Sequence, residues 1–102
     1  MRITEAQKNA FLEETAKIHP GPFELILYGS RAQDQLLGGD IDLLLLVPTT
    51  ELESLRTIKH VFLARFKERI GDQKIDFSIR SREEIQLDPF WQQAIAESVK
   101  LA

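Results

Sequence analysis

Apolar positions recur along this chain with two different periods, and the changes between them predict an order of elements. Phe11, Leu12, Ala16 and Ile18 fall at helical spacing behind Thr4-Glu5-Ala6-Gln7, which has capping-box form with Ile3 placed for a hydrophobic staple. That first helix should end by His19-Pro20-Gly21-Pro22. Phe23 to Tyr28 is a short apolar run rich in strand formers, and Gly29-Ser30 then supplies a turn and an N-cap for a short second helix. Gly38-Gly39 should stop it. Asp40-Ile41-Asp42-Leu43-Leu44-Leu45-Leu46-Val47 is close to continuously apolar up to Pro48, the pattern of a central strand. Thr50-Glu51-Leu52-Glu53 repeats the capping-box pattern, and Leu52, Leu55, Ile58, Phe62, Phe66 and Ile70 follow at helical spacing until Gly71. Lys74 to Arg80 alternates strictly, with Ile75, Phe77 and Ile79 on one face and Asp76, Ser78 and Arg80 on the other. Ser81-Arg82-Glu83-Glu84 can start a short helix, and Asp88-Pro89 reads as the N-cap and first residue of a last helix carrying Trp91, Ile95 and Val99.

Helices alternating with strands over 102 residues fit one α/β domain with a single core. A hydrophobic fraction of 43% beside 28% charged residues is enough apolar material to fold, and it argues against disorder. No apolar run approaches the roughly 18 residues of a membrane span, and Met1-Arg2-Ile3-Thr4-Glu5 does not open a signal-peptide core. A cytoplasmic protein with no membrane contact is the expectation. The absence of cysteine removes disulfides, thiolate metal sites and cysteine nucleophiles. A formal charge of −3 argues against long nucleic acid as a partner, because such binding rests on basic side chains that displace counterions. A single nucleotide needs only a local site.

Chemistry enters with the aspartates. Residues two apart on a strand share a face, so Asp40 and Asp42 should project side by side from the start of the central strand. Two such carboxylates repel each other unless a cation lies between them, and hard oxygen ligands suit Mg²⁺, which completes its shell with water and substrate phosphates. Asp76 lies on the polar face of the later strand and would complete a cluster if the two strands are neighbours. Three carboxylates can hold two metal ions about 3.5–4 Å apart, as in-line displacement at phosphorus requires. Upstream, Gly29 lets backbone approach a phosphate, Ser30 offers a hydroxyl and Arg31 offers charge.

Each of these residues also has a plainer reading. Gly29-Ser30 by itself is a turn and a cap, Asp42 can pair with a surface Lys or Arg, Asp76 with Arg80, and Arg31 can be a solvated helix residue. His19 and His60 read as a loop residue before proline and a helix-surface residue. Phe90 and Trp91 read as packing residues rather than a base-stacking platform, since nothing basic surrounds them.

The block Leu27-Tyr28-Gly29-Ser30-Arg31-Ala32, with nine residues between Ser30 and Asp40-Ile41-Asp42-Leu43, resembles the signature of the minimal nucleotidyltransferases of the DNA polymerase beta superfamily. Asp76 stands where that family places its third carboxylate. The resemblance implies a nucleotidyltransferase fold over residues 1–102 as a single domain: a small mixed sheet of three to four strands packed against helices on one face. It implies transfer of a nucleoside monophosphate, with AMP the first choice, from ATP or another NTP to an acceptor hydroxyl, pyrophosphate leaving. Asp40 and Asp42 would hold the Mg²⁺ that orients the triphosphate. Asp76 would bind a second Mg²⁺ and help deprotonate the acceptor, and Ser30, with Gly29 and Arg31, would steady the leaving phosphates.

After the last alternating strand only a short tail remains, so the acceptor is expected on another chain. In the resembled family this is typically a helical HEPN-domain protein, in toxin–antitoxin pairs where the transferase nucleotidylates its partner, and the chain then reads as the antitoxin component. Self-association is left open. The alternative is a non-catalytic nucleotide-binding or neutralising subunit, and transfer to a small molecule would call for a larger acceptor domain. Some features depart from the usual pattern: the interval between Ser30 and Asp40 is shortened, Asp34 stands where Gly is common, Leu36-Leu37 is apolar for that loop, and Gly39 replaces a small hydroxyl residue.

Overall fold

The computed structural model describes residues 1–33 and 39–102, so the departures at Asp34 and Leu36-Leu37, and the helix stop at Gly38, lie outside the described residues. Helix α1 spans Glu5–Ile18 and opens on the expected capping box: Thr4 Oγ1 accepts from the Gln7 amide at 3.0 Å, and Gln7 Oε1 accepts from the Thr4 amide at 2.9 Å. Strand β1 follows at Glu24–Tyr28. Gly29–Ala32 then forms a single 3₁₀ turn, and Ser30 sits inside it; the position before the turn is Tyr28, so the expected Ser30 N-cap and short α-helix are not found among the described residues. Strand β2 is Ile41–Leu46, and β3 is Ile75–Arg80.

Between β2 and β3 the expected continuous helix is divided into α2, Leu52–Thr57, and α3, Lys59–Ile70. The break falls at Ile58, whose φ and ψ of −107° and 22° leave the helical region. It lets α2 lie on β3 while α3 packs against both β3 and α1. The Thr50 capping box does not form either. A 3₁₀ turn at Thr49–Glu51 leads into α2, and the Thr49 hydroxyl bonds Glu83 instead. Helix α4, Arg82–Gln86, carries a true capping box between Ser81 and Glu84, and α5, Pro89–Ala96, is capped by Asp88 with proline in its first turn. Val99 lies beyond α5, in β4 at Val99–Lys100.

The four strands form one mixed sheet in the order β3-β2-β1-β4, with β2 and β3 parallel and the other pairs antiparallel. The mixed sheet on helices expected from the sequence is found. Its main core lies on one face, where Leu25, Leu27, Ile41, Leu43, Leu45, Phe77 and Ile79 meet Phe11 of α1, Leu52 and Leu55 of α2, and Phe62 and Phe66 of α3. The opposite face is partly covered as well, by a smaller cluster of Ile26, Tyr28, Leu44 and Leu46 beneath Ile85 and Trp91 of α4 and α5. Hence β2 is apolar on both sides.

The buried side of α1 differs from the expected stripe. Ala16 is exposed, while Ala10, Phe11, Glu14 and Thr15 are buried. A buried carboxylate needs partners, and Glu14 has Lys17 and Arg69 each at 3.2 Å and Arg65 at 3.7 Å, so it joins α1 to α3. No helix among the described residues is long and apolar enough to cross a membrane.

Candidate active site

Register decides which carboxylates meet. Tyr28 of β1 pairs with Asp42 of β2, and Asp42 pairs with Asp76 of β3, so the three side chains form one row across the sheet. Neighbouring strands run about 4.8 Å apart, so Asp42 and Asp76 project from adjacent points of the same face. This is the face opposite the main core, near the end of the sheet where β1 stops and β2 and β3 begin.

The row opens into a cleft of about 830 Å³ lined by Tyr28, Gly29, Ser30, Gln33, Asp42, Asp76 and one side of α5, namely Phe90, Gln93, Ala94 and Glu97. Its size suits a nucleotide-sized ligand. Two of the lining residues close one end, where Gln33 Nε2 donates to the Glu97 carbonyl at 3.3 Å.

Gly29 presses against the aspartate row. Its φ is +73°, and a Cβ there would stand 2.2 Å from Asp42 Oδ2, so only glycine lets the turn pass this close to the carboxylate. Gly39 has a φ of +117°, and a Cβ on it would lie 3.3 Å from Ser30 Oγ. A side chain at position 39 would crowd the serine. Glycine there is thus matched to the turn it touches.

The 3₁₀ turn is held from outside by a pair of arginines. Arg2 Nε donates to the Gln33 carbonyl and Nη2 to the Ser30 carbonyl, both at 3.1 Å, while the Arg2 amide donates to the Arg31 carbonyl at 2.7 Å. Arg31 answers with Nη1 on the Arg2 carbonyl at 3.1 Å and Nε on the Gly39 carbonyl at 3.2 Å. The guanidinium expected to face phosphate is engaged on backbone carbonyls, and Arg31 is not among the cleft-lining residues. Arg2 escaped the sequence reading entirely, because nothing local marks a contact across 28 residues.

Electrostatics single out Asp42. Its carboxyl is half-buried, and burial first, then the like charges of Asp76 and Asp40, raise its pKa above the ordinary aspartate value. Tyr28 is pushed up as well, chiefly by burial, against a hydrogen bond with Ser78. Asp40, just before β2, is close enough for its charge to act on Asp42, and its Oδ2 also lies 3.4 Å from Lys74 Nζ. Among the described residues, no three acidic or imidazole side chains are gathered so as to hold a metal ion as they stand. Asp42 and Asp76 nonetheless offer what Mg²⁺ takes from protein, one or two hard carboxylates with room for water and phosphate oxygens, and a divalent cation would relieve the repulsion that raises Asp42. The donor chemistry fits.

Other predicted residues sort clearly. Arg80 does not pair with Asp76; its Nη1 donates to the Ile79 carbonyl and its guanidinium lies 5.6 Å from the centre of the Trp91 ring. His19 is buried, with Nε2 3.1 Å from the Pro22 carbonyl oxygen and 3.2 Å from Glu51, and His60 is on an exposed helix surface. Trp91 is a packing residue, as expected, but Phe90 is 59% exposed and faces the cleft.

Residues 8–100 match the sequence profile of the nucleotidyltransferase domain. The chain belongs to the nucleotidyltransferase domain family, a class of nucleotidyl-transferring enzymes of the EC 2.7.7 type. A crystal structure at 1.40 Å of a candidate nucleotidyltransferase from Sulfolobus solfataricus shares the fold, with a TM-score of 0.56 and 21% sequence identity, covering 94% of this chain and 82% of that one. No curated protein matches the chain at a significant level.

Proposed function

We propose that residues 1–102 work as one minimal nucleotidyltransferase domain that moves a nucleoside monophosphate, AMP in the first instance, from a triphosphate to a hydroxyl on a helical partner protein of the HEPN type. The observation that carries this reading is the pairing of Asp42 with Asp76 at the floor of a cleft rimmed by Gly29 and Ser30. A polyphosphate lying along that line meets a serine hydroxyl at one end and two carboxylates further in.

Asp42 and Asp76 would hold Mg²⁺, with Asp40 joining if it leaves Lys74, and the metal would neutralise the phosphates and polarise the one under attack. Ser30 donates its hydroxyl to the leaving phosphates. Asp76, the more exposed of the paired carboxylates, takes the proton of the acceptor hydroxyl. The acceptor oxygen bonds to the α-phosphorus, the bond from that phosphorus to the bridging oxygen breaks, and pyrophosphate leaves. The cleft between α5 and the 3₁₀ turn is open to solvent, and that opening supports an acceptor hydroxyl delivered by another chain. In a two-protein toxin–antitoxin pair the chain would be the antitoxin.

A second reading, a nucleotide-binding or neutralising subunit without turnover, is favoured by the engagement of Asp40 with Lys74. The two are separated by incubating the chain with labelled ATP and Mg²⁺, with and without the product of the neighbouring gene, and measuring intact masses. Gain of AMP on either protein, lost with Asp42→Asn, supports the transferase. A complex that forms equally well with Asp42→Asn, and gains no mass with any of the four triphosphates, leaves the non-catalytic subunit.

A further inference from the structure

We infer that Phe90 is the platform on which the nucleobase of the triphosphate stacks, and that the cleft therefore favours purine over pyrimidine nucleotides. Phe90 is 59% exposed, although most large apolar side chains of the described residues are covered. It is also firmly held. Its ring meets Trp91 edge-on with centroids 4.9 Å apart, and Trp91 meets Tyr28 edge-on at 5.2 Å, so three aromatic rings run from the buried floor of the cleft to its open side. Ring pairs of this geometry fix orientation as well as area.

Position along the cleft gives the ring its role. Helix α5 follows β3 and α4, and its far end leads to β4 beside β1. Phe90, at the start of α5, lines the same cleft as Asp42 and Asp76 and is joined through Trp91 to Tyr28, while Glu97, just past the end of α5, is held by Gln33 next to the 3₁₀ turn. Ser30, Asp42, Asp76 and Phe90 all line this one cleft, with Phe90 at the end of α5 away from the Gln33–Glu97 contact. A triphosphate with its leaving phosphates at Ser30 and its α-phosphate at the aspartates would carry its nucleoside onward to Phe90. Stacking needs no basic residue beside the ring when the phosphates are bound elsewhere in the site. Because every base has a π-face, such a platform ranks bases by stacking strength rather than by hydrogen-bond pattern.

This inference rests on the proposed transferase reading, and the test separates the two. The probes are the α,β-methylene analogues of ATP and UTP, whose bridging carbon blocks transfer, and inorganic tripolyphosphate, which has no base, each titrated with Mg²⁺. Trp91 is the chain's one tryptophan and touches Phe90, so its emission reports directly on the platform. Wild-type protein should bind the purine analogue more tightly than the pyrimidine one. Phe90→Ala should weaken the purine analogue about tenfold, the pyrimidine analogue less and tripolyphosphate not at all, with Phe90→Tyr restoring the difference. Unchanged tripolyphosphate binding also shows that the variant is folded. If Phe90→Ala binds the purine analogue as wild type does while Ser30→Ala does not, the platform is overturned and the exposed ring belongs to a surface that meets another protein. If wild-type protein binds neither analogue nor tripolyphosphate, the transferase reading falls and the platform with it.

Discussion

On one face of the sheet Leu27, Leu43 and Phe77 stand side by side at 0%, 0% and 1% exposure. One residue further along β1, and one residue back along β2 and β3, Tyr28, Asp42 and Asp76 form the row that ends in two repelling carboxylates. The same three strands build both rows, and only the period of two separates them. The apolar row is stabilised by everything it touches. The acidic row is held in place by that apolar row and costs stability itself. A site of this kind can be changed without losing the fold, and the core can be weakened without touching the chemistry.

The largest effect should come from Asp42→Asn, which keeps size and removes charge. Nucleotidyl transfer should fall about a thousandfold or more, with the circular dichroism spectrum unchanged. Retention of turnover within tenfold would remove Asp42 from the reaction. Across the sheet, Phe66→Ala is the complementary experiment. Phe66 is fully buried, edge-on to Phe11 at 5.1 Å and to Phe77 at 5.4 Å, so its truncation should cost about 3–5 kcal/mol in urea unfolding while the folded fraction still binds nucleotide. Loss of binding without loss of stability would contradict the division between the faces.

Gly29→Ala probes where the turn meets the acidic row. The added methyl would lie 2.2 Å from Asp42 Oδ2 on a backbone at φ +73°, so either the carboxylate or the turn must move. A displacement of the order of 1 Å at reacting groups costs about a hundredfold in rate, and steady-state kinetics should show that loss mainly in kcat. A smaller effect is expected from Arg2→Ala, which removes two hydrogen bonds from the outside of the turn. Its signature should be a KM for triphosphate raised about tenfold or less, with kcat little changed and partial rescue by Arg2→Lys, since one donor of the fork is then replaced.

These differences track what was legible in the chain. The alternation of Ile75 to Arg80 assigned each side chain to a face, and the apolar run of β2 announced a central strand, although helices were expected on one face only and α4 and α5 cover part of the other. Both signals are local. That Asp42 lies beside Asp76 depends on strand order, which no spacing within either strand encodes. The Arg2 clasp, the exposure of Phe90 and the return of Val99–Lys100 to pair with β1 are long-range contacts, settled by packing after the elements form. Even the division of the helix at Ile58 belongs here, because two packing partners, β3 and α1, override a continuous helical pattern. Gly29 and Gly39 were visible as residues, but what they make room for, Asp42 and Ser30, was not.

The smallest predicted effect tests whether the acidic row costs stability at all. Asp42 has its pKa raised above 3.8 in the fold, first by burial and then by Asp76 and Asp40. A carboxyl with a raised folded pKa favours the folded state when protonated, so this contribution is fully present below the unfolded value and is lost as pH rises through the folded one. At neutral pH the metal-free protein therefore carries a penalty that Asp42→Asn removes. Because Asp42 is only half-buried, solvent screening holds the gain under about 1 kcal/mol, or a melting temperature raised by up to about 4 °C. The comparison must be made at matched pH, since other carboxylates act in the opposite sense: Glu24, held low by its hydrogen bond from Arg82, loses that stabilisation on acidification in both proteins. Thermal unfolding of the two proteins should thus differ at pH 7 without Mg²⁺, converge as pH falls toward 3.8, and reverse at pH 7 when Mg²⁺ and a triphosphate analogue stabilise only the wild type. Equal melting temperatures at every pH would mean that Asp42 and Asp76 do not repel, and the electrostatic argument for a cation between them would lose its footing.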